Sequence, residues 1–305
     1  MTKNTTRWLP ALLLALLALA ACGKDDGNAA VSGGDTSAPE AAVKTTLKQL
    51  KAGDFKALAH SALPPADYAR LDAEWSKKLA EADEITDEDR QKFTEQMQQF
   101  TAPDCADKLF QQAEPVLGEF ETKYKAQLPM YVGMGQTMAA TGIDQSETLN
   151  AAQKQQAKDT LAVMAQWVQS TNWGDKDKAR QAIGIVCDTA RNIDLKTLDQ
   201  ARSLKFDEVL DKYGQVWGGA RKVFALYDLD FNAIIDSAQV KTVSNDGSHA
   251  VVSTTVTMFD KPITSESKLV QIDGHWYNED LVKNLEKEMA DQDATASSAD
   301  AGDED

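Results

Sequence analysis

Three cysteines and three histidines are the side chains of this sequence best suited to chemistry near neutral pH. Cys22 directly follows Leu19-Ala20-Ala21, whereas Cys105 and Cys187 stand 82 positions apart. No CxxC pair or Cys/His cluster accompanies them, which argues against a zinc site or a thiol-redox site. His60 precedes a Leu63-Pro64-Pro65 break, and His249 and His275 each follow turn residues. None has an acid at a spacing that suggests a proton relay, so chain ends and turns account for them better than general acid–base catalysis. Gly133-Met134-Gly135 lacks the preceding strand and third glycine of a dinucleotide loop, and it has no phosphate-loop lysine. Close helix packing of Met130, Met134 and Met138 is the expectation there. There is no Gly-x-Ser-x-Gly nucleophile elbow. Asp83-Glu84 with Asp87-Glu88-Asp89 lacks the pattern of a calcium loop and reads as a solvated helix start. Trp167, Trp173 and Trp217 either line a groove or pack in a core, and the core is the expected place. No catalytic, cofactor-binding or metal-ligating residue is therefore assigned, and no cofactor is expected.

The segments that carry these residues begin with a basic start (Lys3, Arg7) followed by an apolar run from Leu12 to Ala21. That run is shorter than the roughly 20 apolar residues of a membrane span. Basic start, apolar middle and small residues before a cleavage point make the layout of a secretory signal. With the cysteine, Leu19-Ala20-Ala21-Cys22 resembles the lipobox of bacterial lipoproteins. The resemblance implies cleavage before Cys22, diacylation of its thiol and acylation of its new amino group. Several acyl chains, at about 0.8 kcal/mol per buried methylene, suffice for stable anchoring. Gly23, where a retention signal would have aspartate, implies the outer membrane, with the body facing the periplasm. The alternatives are an ordinary signal peptide, or an apolar run that happens to meet a cysteine.

Removing residues 1–21 leaves 284 residues and shifts the formal net charge from −16 to −18, because Lys3 and Arg7 are lost. Such an acidic chain argues against a nucleic-acid partner and against a basic patch on anionic lipid. In an oxidising compartment Cys105 and Cys187 invite a disulfide, which would be worth roughly 4 kcal/mol in the chain-entropy model. Two buried free thiols on separate helices are the alternative.

Residues 22–38 form a tether rich in Gly, Ser, Asp and Ala. Thr36-Ser37-Ala38-Pro39-Glu40 predicts a helix start with a hydroxyl cap, and Gly53 its stop. Asp54 caps a short helix from Phe55 to His60. From Asp67 to about Tyr227 the spacing predicts helices throughout. Tyr68, Leu71, Trp75 and Leu79 form one stripe, and Phe93, Met97 and Phe100 face inward. Pro115 is expected to kink or restart its helix. Ser146 is expected to cap a long helix carrying Leu149, Leu161, Met164, Trp167 and Val168. Near Ala233 the pattern turns to strands: Val240–Val243, His249–Met258 and Pro262–Ile272, then His275-Trp276-Tyr277. Ser244-Asn245-Asp246-Gly247 and Asp273-Gly274 supply turns. A helix from Glu279 to Met289 follows, then an acidic tail, 291–305, expected to be disordered.

Pro39 to Val43 with Leu50 to Leu58, and Leu269-Val270-Gln271-Ile272-Asp273-Gly274-His275-Trp276-Tyr277, resemble the opening helices and last hairpin of nuclear-transport-factor-2-like domains. That resemblance implies a curved antiparallel sheet wrapped around helices to form a cone with a pocket. The expected fold is α+β and predominantly helical: a helical bundle plus a small curved antiparallel sheet near the C-terminus. Residues 39–66 and 206–290 would form the cone-like domain, with 67–205 a helical domain or insertion. The favoured function is a non-enzymatic binding lipoprotein, for instance an immunity-type inhibitor of a periplasmic toxin. Its partners would be the membrane, through lipid on Cys22, and a periplasmic protein. A carrier or sensor of a small or lipidic ligand, and an enzyme on the cone fold, are the alternatives.

Overall fold

A computed structural model describes residues 34–82 and 84–300, with side chains described as far as residue 290. The lipobox, the leader, the tether up to residue 33, Asp83 and residues 301–305 lie outside the described residues. The chain runs α1 (Pro39–Ala52), α2 (Phe55–Ala62), α3 (Pro65–Ala80), α4 (Asp87–Thr101) and α5 (Cys105–Glu119). A π-helical segment (Phe120–Tyr124) and a 3-10 turn (Lys125–Gln127) lead into α6 (Leu128–Gln145). Then come α7 (Ala151–Ser170), α8 (Lys176–Ile193), α9 (Leu198–Arg202), α10 (Phe206–Leu226) and α11 (Phe231–Asp236). Strands β1 (Gln239–Asn245), β2 (His249–Met258), β3 (Lys261–Ile272) and β4 (His275–Asn278) precede α12 (Glu279–Asp300). The fold is α+β and mostly helical, with one antiparallel meander in the order β1-β2-β3-β4.

One apolar core unites the two ends of the described chain. Val43, Leu47, Leu50, Phe55, Leu58 and Leu63 from the first two helices meet Phe206, Leu210 and Ile235. Ala250, Val252, Leu269 and Trp276 of the sheet and Leu281, Leu285 and Met289 of α12 complete it. The alternation read from β2 explains the sheet's part in this core: Ala250, Val252 and Thr254 are buried, and Val251, Ser253 and Thr255 between them are half-exposed. Two-residue turns at Phe259-Asp260 and Asp273-Gly274 join β2 to β3 and β3 to β4, all four residues with positive φ, which suits the twist of a hairpin.

Gly53 ends α1 at φ 73°, and Asp54 caps α2 by accepting the Ala57 N–H at 2.8 Å. The same glycine lets α10 approach. A Cβ on Gly214 would lie 2.1 Å from the Gly53 carbonyl oxygen, so backbone meets backbone there.

Several local expectations are corrected. Thr36 does not cap α1, whose N-cap is Ala38 with no side-chain bond. The Thr36 hydroxyl instead lies 2.8 Å from His275 Nδ1, and its carbonyl accepts the Trp276 N–H at 2.9 Å. The edge of β4 offered buried backbone a partner, and that bond outranks a local cap. Glu40 at the start of α1 likewise reaches across, accepting the Thr242 N–H at 2.8 Å beside a bulge in β1. Pro115 sits inside α5 without ending it. The irregularity falls five residues later, in the π-helical segment. Ser146 ends α6, and Asn150 caps α7 through a reciprocal bond pair with Gln153. Phe100, in the last turn of α4, is 37% exposed rather than inward. The helix expected to end at Met289 continues to Asp300, where Ala290, Ala294 and Ala296 favour helix despite the acids.

Cys105 and Cys187 form a disulfide, with Cα atoms 6.2 Å apart and both residues fully buried. It fastens α5 to α8, and α8 packs on α10. The bridge lies where apolar cover is thin, because α3, α4 and α6 contain no buried residue.

Candidate functional site

Asp207, in the first turn of α10, gathers more titratable partners than any of the three histidines. Lys56 Nζ of α2 lies 2.5 Å from Asp207 Oδ2, and the Tyr68 hydroxyl of α3 donates to Oδ1. His60 Nε2 is 3.9 Å from the same Oδ1, and its ring stacks on Tyr68 with centroids 3.8 Å apart. Burial pushes the Asp207 carboxyl up, but the hydrogen bonds from Lys56 and Tyr68, with the lysine's charge, hold it below its ordinary value. Burial, reinforced by the bond to Asp207, pushes the Tyr68 hydroxyl well above the usual tyrosine range. Both carboxylate oxygens are engaged, which makes the group a clamp of α2 and α3 on the end of α10. The sequence reading missed Asp207 because it lies 139 positions from Tyr68, and no local spacing announces it.

The other histidines do not join this cluster. His275 is tied to Thr36. His249 lines an open depression of about 330 Å³ with Asp246, Lys268 and Glu279. The Asp246 carboxylate is already used, accepting the Ser248 and His249 N–H groups at 2.8 and 2.7 Å. Among the described residues, no group of three His, Cys, Asp or Glu is placed to hold a metal ion.

The three tryptophans are packing residues. Their indole N–H groups donate to the carbonyls of Tyr227 (from Trp167), Val168 (from Trp173) and Leu50 (from Trp217) at 2.7–2.9 Å. A run of ring contacts, Trp173–Trp167–Phe224–Phe231–Trp217, binds α7, α10 and α11 together.

The surface that lacks a partner is α6. From Ala126 to Ile143 the chain carries no charged residue. Only one face of α6 is covered, by α7, and it presents the half-buried Leu128, Val132, Gln136, Ala140 and Ile143. Met130, Met134 and Met138 lie about 200° around the helix from that face, which is why the close packing expected of them does not occur. They are 55, 57 and 74% exposed, and Tyr131, next to Met130 in the chain, is 50% exposed. Even the polar groups here are spent inwardly. Thr137 and Thr141 donate to the carbonyls of Gly133 and Thr137, both at 2.9 Å, and Tyr131 to Gln127 at 2.9 Å. The result is a face without charge and with few free hydrogen-bonding groups, in a chain that is otherwise 26% charged. Contiguous apolar exposure of this kind marks interaction sites. Among the described residues no helix is long and apolar enough to cross a membrane.

Comparison of the chain with protein-family models, with curated proteins and with solved structures finds no match to any of them.

Proposed function

We propose that this protein is a lipid-anchored, periplasm-facing binding module, held to the outer membrane through Cys22 and engaging a protein through the outer face of α6. The bare methionine face of α6 is the observation that carries the binding half of this reading. Exposed methionines are unbranched and polarizable, and they adapt to a partner's surface better than branched side chains do. The anchoring half is carried by the Leu19-Ala20-Ala21-Cys22 pattern behind its basic and apolar leader. Residues 23–33 would connect the lipid to Gly34, because Asp35 is already held by the Thr45 hydroxyl of α1. Fully extended, they would reach about 38 Å, enough to hold the body clear of the headgroups. The hydrogen bonds of Thr36 to His275 and Trp276 give that tether a fixed point of attachment at the sheet edge. An immunity-type inhibitor is one form such a module takes.

The test is fractionation of cells producing the full chain or its Cys22→Ser variant. The full chain should partition with outer membranes and into detergent, and the variant should lose both. Equal partitioning of the two would remove the anchor from this account.

A further inference from the structure

We propose that Met130, Met134 and Met138 form a binding site for one soft monovalent cation of the Cu(I) type, held between Met134 and either of its two neighbours in the row. The site needs no protein on α6, so it stands or falls apart from the docking role of that face.

The donor set selects the ion. A thioether sulfur is neutral and polarizable, and soft sulfur ligands suit Cu(I), whereas magnesium, calcium and manganese take oxygen. Three thioethers recur here at four-residue spacing, each on a residue more than half exposed. Met289, by contrast, is buried in the core. Harder donors are withheld from the row. From Ala126 to Ile143 there is no charged residue, no histidine and no cysteine. The acids beyond its two ends are already paired, Glu121 with Lys125 at 2.8 Å and Asp144 with Lys158. A divalent ion would meet no charge to balance it, while a single positive charge costs less to desolvate among neutral sulfurs.

Helix geometry decides which sulfurs share the ion. Met130 and Met134 are about 6 Å apart along the axis and about 40° apart around it, as are Met134 and Met138. An ion seated between such a pair, just clear of the backbone, lies about 5 Å from each Cα, within the roughly 6 Å that an extended methionine arm and its metal bond can span. Cu(I) and Ag(I) are content with two donors in a line, which one pair supplies. Met130 and Met138 are about 12 Å and 80° apart, so an ion between them would lie about 7 Å from each Cα. That pair cannot close. Met134 therefore belongs to both possible seats, and only one can be filled at a time.

Silver(I), which shares this chemistry without a change of oxidation state, is the probe. The full chain is isolated from envelopes with isotope-labelled methionine methyl groups, treated with iodoacetamide to remove any free thiol, and titrated with silver nitrate in chloride-free buffer. The methyl resonances of Met130, Met134 and Met138 should shift and saturate at one silver per chain, and that of Met289 should stay in place. Met134→Leu should weaken binding at least tenfold, because no chelating pair is left. Met130→Leu and Met138→Leu each leave one of two equivalent pairs and should weaken it only about twofold. Leucine keeps the volume and the apolar character, so the fold is not at stake in these variants. Equal weakening by all three substitutions would overturn the shared-sulfur geometry and with it the proposal. Undiminished binding by Met134→Leu, or shifts of the same size with calcium in place of silver, would overturn the site altogether.

Discussion

Reducing the Cys105–Cys187 bridge should cost this protein a large part of its stability. The bridge closes a loop of 82 residues that contains most of α5, all of α6 and α7, and most of α8. In the chain-entropy treatment, opening such a loop stabilises the unfolded chain by about 4.5 kcal/mol at 25 °C. Domains are commonly stable by only about 5–15 kcal/mol, so the loss would be a third or more of the total. Within the closed loop the apolar hold comes from α7 and α8, through Val163, Ala165, Trp167, Ala179 and Ala182, because α6 buries no residue and α5 buries only Cys105 and Phe110. With a urea slope of about 3 kcal/mol/M, the unfolding midpoint should fall by about 1.5 M. The assay is urea unfolding followed by circular dichroism, with and without reductant. Reduced wild-type chain is the better comparison than Cys105→Ala/Cys187→Ala, since it keeps both sulfur atoms and opens no cavity. A midpoint shift below about 0.3 M would refute the reasoning, because the enclosed helices would then hold together without the closure.

Three smaller predictions follow from single contacts. Gly214→Ala should destabilise by about 2–3 kcal/mol, because its Cβ would fall 2.1 Å from the backbone oxygen of Gly53. Gly184→Ala, with nothing within 4 Å, should instead stabilise α8 by up to about 1 kcal/mol; thermal melts of the pair separate the two effects. Asp207 titrates below its ordinary value when folded, so its contribution is fully present above pH 4 and is lost as pH falls through the folded value. Asp207→Asn should therefore lower the melting temperature at pH 7, and the gap to wild type should narrow between pH 4 and pH 2. Asp260→Gly should raise the melting temperature by about 2 °C, since Asp260 holds φ 62° in a two-residue hairpin turn where glycine has no steric cost.

How far the sequence revealed this fold depended on how local each signal was. The strand alternation of β2, the αL stop at Gly53 and the Asp54 cap rest on neighbours within a few positions, and all were legible. Thr36 and Ser146 also looked like caps, yet each was misread. The Thr36 hydroxyl finds His275 239 positions away, and Asn150 forms the better reciprocal cap only four residues beyond Ser146. The methionines of α6 show the same limit differently. Their spacing correctly marked a helix, but periodicity does not say which face a neighbour will cover, and α7 took the face about 200° away. The Asp207 clamp was beyond reach for the reason that Thr36 was: its parts come from three helices, joined only by the tertiary fold.

The proposed anchoring depends on lipid carried by the Cys22 sulfur. Intact-mass and peptide mass spectrometry of the chain isolated from envelopes tests it most directly. The expected result is a mature chain beginning at Cys22, heavier than its sequence by acyl groups on the thiol and the amino terminus. A chain that begins elsewhere, or an unmodified Cys22, would contradict it.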